Sequence, residues 1–135
     1  MITRILIAPV VVTLAFSQLS AGPPPDPEAT KVLIGSWVVP MEEYPATISD
    51  GGFTFNPDGT FSSFGVLRYD DQVMRLEVEG KWSIKNGVLI EELTKSSQPQ
   101  ISPVGTLTRD TLLVVTDRQY RFRTESGVEH TYFRK

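Results

Sequence analysis

Between Met74 and Leu93 the chain reads MRLEVEGKWSIKNGVLIEEL, and this run constrains the fold more than any other. Met74, Leu76, Val78, Gly80, Trp82 and Ile84 fall on one side of an extended chain, and Arg75, Glu77, Glu79, Lys81 and Ser83 on the other. Side chains of a strand alternate between its two faces, so this period of two predicts a strand with one dry and one wet face. Asn86-Gly87, which follows, is the dipeptide that best suits a two-residue hairpin turn. Gly80 leaves a strand interior without a side chain, which predicts a bend or the close approach of another backbone.

The same period continues from Val32 to the end of the sequence. Turn signals punctuate it at NPDGT (residues 56–60), KNG (85–87), TRDT (108–111) and ESG (125–127). Strands are expected at 33–39, 50–56, 60–68, 73–84, 88–95, 102–108, 111–116, 119–124 and 128–134. This is an all-β chain of eight or nine short antiparallel strands joined neighbour to neighbour. Such a meander escapes exposed edges by closing into an up-and-down barrel. Phe53 and Phe55, Phe64 and Val66, Leu112 and Val114, and Tyr120 and Phe122 repeat the same-face pairing. A barrel of eight strands has room for packed side chains or one small ligand. The residues expected to line that interior are Trp37, Phe64, Trp82, Glu91, Tyr120 and Phe122. Glu91 shares a parity with Leu89 and Leu93, so it is either a buried acid or is turned outward by a local bulge. A membrane barrel would turn the apolar face outward instead, and several strands look short for that.

Upstream of the strands, Arg4 precedes the apolar run ILIAPVVVTLAF (residues 5–16) and the small polar stretch SQLSAG (17–22). The run falls short of the roughly 20 apolar residues that a bilayer requires. Residues 1–21 are therefore expected to be a signal peptide, cut between Ala21 and Gly22. The mature protein is then placed in the periplasm or outside the cell, with no membrane span. GPPPDPEATK (22–31) reads as a proline-rich N-terminal arm, in which Asp26 or Thr30 is a candidate start for one helical turn before the first strand, and 32–135 as the one barrel domain. There is no cysteine, so an exported fold of this kind must hold by burial without disulfides. The formal net charge of −3 argues against a surface built to coat phosphate backbones, and no nucleic-acid partner is expected.

LIGSW (33–37) at the first strand resembles the Gly-x-Trp signature of lipocalins, whose tryptophan closes one end of the barrel. TDRQY (116–120) is similar to the later Thr-Asp turn of that family, one residue short of its usual spacing. FTFNPDGTF and EGKWSIKNGVL look like phrases of small secreted bacterial lipocalin-like proteins. The resemblance covers most of residues 32–135 and implies a calycin-type barrel that binds a small apolar molecule. It also implies a basic residue from a late strand over the tryptophan, a part open to Arg123 or Arg134.

Catalytic chemistry is not legible. His130 is the single histidine, and no nucleophile stands at triad spacing from it. With no cysteine and one histidine, neither a metal site nor a cofactor is expected. Glu77 and Glu79 stand about 7 Å apart at strand rise, but Arg75 and Lys81 flank them in an alternating ladder typical of a solvated face. The expectation is thus a non-enzymatic monomer that binds a small apolar or amphipathic ligand. The alternative is a protein-interaction module, an inhibitor or immunity-type protein against an exported enzyme, acting through the arm or the barrel rim. In that case removal of residues 22–31 should abolish capture and leave stability unchanged.

Overall fold

The computed structural model describes residues 22–40, 48–69 and 71–135. The expected signal peptide lies outside the described residues.

The proline-rich segment does not stay extended. Helix α1 spans Asp26–Leu33. A proline in its first turn costs no hydrogen bond, because the first amides of a helix have no partner within it. Asp26 and Glu28 in the first turn and Lys31 in the last complement the helix dipole. Ala29 and Leu33 are buried. The Asp26 carboxylate accepts the backbone N–H groups of Asn86 at 2.7 Å and Gly87 at 2.9 Å. The segment read as an arm is therefore docked on the barrel from Asp26 onward, which overturns the expectation that its removal is free of cost.

Eight strands follow: β1 Gly35–Val38, β2 Ile48–Phe55, β3 Thr60–Tyr69, β4 Gln72–Lys85, β5 Val88–Ser96, β6 Leu107–Val115, β7 Gln119–Arg123 and β8 Glu129–Arg134. Each pairs antiparallel with the next, and β8 returns to β1 with Trp37 opposite Arg134, so the sheet is a closed up-and-down barrel. Of the expected strand 102–108 only Leu107 and Thr108 are extended, and they open β6, while residues 102–106 form a turn. TRDT was a candidate reversal, yet β6 runs straight through it, with Thr108 opposite Glu91 and Asp110 opposite Leu89. The segment has no glycine or proline to turn on, and its two threonines suit an extended backbone.

Gly80 does what its position requires. The register shifts between Glu79 and Gly80, and a Cβ there would overlap the Glu92 carbonyl oxygen and lie 2.6 Å from the Phe61 ring. The Asn86-Gly87 turn carries positive φ at both residues, 53° and 74°. A second register shift, between Leu112 and Val114, makes Leu112 and Val115 the buried pair, not Leu112 and Val114.

Candidate functional site

The barrel is asymmetric along its axis. At one end α1 lies beside the β4–β5 turn. Trp37 donates its indole N–H to the Leu33 carbonyl at 2.8 Å. The Arg134 guanidinium sits over the Trp37 ring, 4.1 Å from its centroid. It donates to the carbonyls of Val32, Ile34 and Asp117. One planar cation thus satisfies three carbonyls of the helix exit and the β6–β7 turn while covering an aromatic face. Of the two basic residues open to this part, Arg134 takes it. Arg123 instead pairs with Glu129, at 2.8 Å and exposed.

Above this plug the interior is filled with rings. Trp37 meets Tyr120 edge-on at 4.8 Å, Phe55 lies 5.0 Å from Trp82, and Tyr120 stacks on Phe122 at 5.6 Å. Trp82 also donates its indole N–H to the Asn56 carbonyl. Burying each such side chain contributes roughly 1.5–3 kcal/mol. Trp37, Trp82, Tyr120 and Phe122, expected to line the interior, are buried in the packed core.

Phe64 lies on the other side of the wall. It stands opposite Gly52 on β2 and the exposed Glu77 on β4, with the Arg75 guanidinium 4.6 Å above its ring. The inward residues of β3 are Phe61 and Leu67, of the opposite parity, and both are buried. Phe64 and Val66 therefore do not line the interior. Phe64 instead borders a hollow of about 480 Å³ on the outer surface of β1–β4, with Ser36, Gly52, Thr54 and Ser62 along its floor. Sequence parity gave no hint of this hollow. The paired glycines at 51 and 52 were the available signal, since they leave the sheet bare of side chains there.

Toward the other end, inward-facing residues lose their cover strand by strand. Along β5, Leu89 is 1 % exposed, Glu91 7 %, and Leu93 is half-buried. Along β6, Leu112 is 3 % exposed, Asp110 half-buried and Thr108 exposed. Along β8, Tyr132 is buried and His130 half-buried. Met74, Leu76 and Val78 of β4 face inward and are also only half-buried. Inward side chains of the described walls are thus sealed toward α1 and partly exposed toward the other end, with Glu91 at the level where the packed core stops.

No bulge turns Glu91 outward. It sits opposite Trp82 on β4 and Thr108 on β6, and no described residue offers its carboxyl a hydrogen bond. Burial raises its pKa to about 8, with the charge of Asp110 adding to the effect. Asp110, its diagonal neighbour across the β5–β6 pair, is about 7 Å away by strand geometry. Burial raises the pKa of Asp110 to about 6, His130 opposing the rise and Glu125 adding to it. His130 faces the same space, its ring 5.5 Å from Phe122. Two acids among half-buried apolar side chains can hold and release protons near neutrality. They do not form a metal centre: among the described residues no group of three or more His, Cys, Asp or Glu side chains is placed to hold a metal ion. No described helix is long and apolar enough to cross a membrane. No protein-family model matches the chain, and no match is found among curated proteins.

Proposed function

We propose that this chain is an exported, lipocalin-like, non-enzymatic binding protein that holds one small apolar or amphipathic molecule in the open end of its barrel. The observation that carries this reading is the gradient of burial along the inward faces. Core residues such as Phe55 and Leu89 are sealed, whereas Leu93, Val78 and Leu76 point into the same interior and stay half-exposed. Apolar side chains lining a concave, solvent-reached space favour the binding of an apolar guest, because docking removes their surface from water at roughly 25 cal/mol per Å². The Trp37–Arg134 plug supports the lipocalin-like reading, since that family's resemblance implied a basic residue over the tryptophan. Displacement of an environment-sensitive dye, with native mass spectrometry for stoichiometry, tests it. One guest per barrel is expected, and Leu93→Trp, which fills the cup, should weaken dye binding at least tenfold with an unchanged circular-dichroism spectrum. A protein that binds no dye and carries no guest contradicts the proposal. Intact-mass analysis of the secreted product tests export, with a first residue of Gly22 expected.

A specific observation also favours the interaction module, by a different surface from the one the sequence suggested. The outer hollow beside Phe64 adjoins Val38 and Phe133, which stand opposite each other on β1 and β8 and are 40 % and 46 % exposed. On that reading the purified protein inhibits a member of a panel of exported hydrolases, and Phe64→Ser removes the inhibition. Inhibition that survives this change places the contact elsewhere.

A further inference from the structure

We propose that the open end of the barrel selects a cationic amphiphile, an amine carried on an apolar chain, with the carboxyl groups of Glu91 and Asp110 as its counter-charges. This rests on the reading of the barrel as a ligand-binding cup and adds the chemical class of the guest.

Among the described residues, the register places four Asp, Glu, His or Arg side chains on the inward faces of the strands. Glu91, Asp110 and His130 lie toward the mouth, and Arg134 is locked into the plug at the sealed end. The remaining charges of these walls face out. Arg75 pairs with Glu77, Arg121 and Arg123 hold Glu129, and Lys81 and Lys95 stand across from Glu92 and Glu79. Among the described residues the mouth therefore presents two carboxyls and one imidazole, with Glu125 adding negative charge from the β7–β8 turn. Glu91 is the decisive group. It is more than nine-tenths buried, aims into the cup from between Leu89 and Leu93, and receives no hydrogen bond from any described residue. Glu91 is largely buried, yet its carboxyl oxygens are not sealed from the space above, since no fully buried side-chain oxygen of the described residues lacks a partner. A carboxyl so poorly solvated lowers the cost of its charge by taking a proton, which is the sense of its raised pKa. An ammonium group arriving beside it removes that cost and leaves an ion pair in an apolar setting. A carboxylate guest would meet two acids instead, and a neutral alcohol would gain no charge pairing.

Proton linkage gives the proposal a signature. An alkylammonium is charged throughout the range in question, whereas Glu91 and Asp110 titrate near 8 and 6. Binding the cation drives protons off these acids, so affinity rises with pH between about 5 and 8, by up to about tenfold per pH unit for each proton released.

The test is dye displacement by decylamine, decanoate and decanol, each below its micelle concentration, at pH 8.0 and 5.5. It is run on the full chain and on the E91Q/D110N variant, whose neutral isosteres leave the shape of the cup intact, with circular dichroism to confirm the fold. Decylamine should bind at least tenfold tighter than the other two at pH 8.0, lose at least tenfold at pH 5.5, and fall to the level of decanol in the variant. Decanoate or decanol binding as well as decylamine, or an amine preference that survives E91Q/D110N, overturns the choice of guest and leaves the cup reading standing. A dye that never binds, with no displacement by any of the three, overturns the cup itself.

Discussion

Glu91 makes the fold less stable as the solution becomes more alkaline. Its pKa is the ordinary 4.5 in the unfolded chain and about 8 in the barrel, so the native state binds the extra proton. Below pH 4.5 the two states are alike. Between 4.5 and 8 the penalty grows, and above 8 it is complete, on the order of a few kcal/mol. Asp110 acts in the same sense at lower pH, from 3.8 to about 6. Asp58 and Glu129 have lowered pKa values, from hydrogen bonds with Thr60 and with Arg123 and Arg121, and act in the opposite sense at the surface. Glu91→Gln should therefore raise the urea midpoint at pH 8 and flatten its decline between pH 5 and 8; a decline as steep as before would place the carboxyl in water. Gly80→Ala should cost more than about 3 kcal/mol, because its methyl would meet the Glu92 carbonyl and the Phe61 ring; an unchanged melting temperature would contradict the packing described. Gly80 and the inward side of Glu91 were legible because a clean alternation carries them. Phe64 was not, because apolar residues occupy both parities of TFSSFGVL. What decides the face is that Phe61 fills the space Gly80 leaves empty across the β3–β4 pair, which fixes Phe61 as inward and Phe64 as outward.

Among the elements, α1 was legible only as a single helical turn starting at Asp26 or Thr30, and not as a two-turn helix docked on the barrel. Four prolines in residues 22–31 suggest an extended chain, yet Pro25 and Pro27 stand where a helix begins and leave Asp26–Leu33 free to wind. Its docking depends on contacts distant in sequence, Asp26 on the Asn86-Gly87 turn and Arg134 on the helix exit, which no local pattern reveals. Asp26→Ala removes the acceptor of two turn amides and should cost about 1–3 kcal/mol. Deletion of residues 22–31 should lower the melting temperature by more than 5 °C, since it also uncovers Leu33, whereas loss of residues 22–25 alone should leave it nearly unchanged. Equal melting temperatures for both truncations would return the helix to the status of an arm. The eight-strand meander itself was legible, because hairpins write their turns locally in Asn-Gly, Asp-Gly and Ser-Gly. The course of β6 straight through residues 108–111 was not, because TRDT resembles a turn in composition and only its pairing with Leu89 and Glu91 holds it straight.

At the scale of the whole molecule, closure explains the distribution of chemistry. A ring of strands has one inside, so every inward residue is either sealed against the plug or turned toward the mouth, and the polar inward residues gather where the seal ends. The sequence predicted that an interior exists. It did not predict which end opens, because that depends on α1 and Arg134 closing the other. The account therefore stands on Glu91 lying inside the barrel, at the boundary between packed core and open cup. The most direct measurement is an NMR titration of the Glu91 side-chain carboxyl carbon, alone and with decylamine. The carboxyl should titrate near 8 in the free protein, and with the amine bound it should already be ionised at pH 7. A midpoint near the ordinary 4.5 in the free protein would contradict the account.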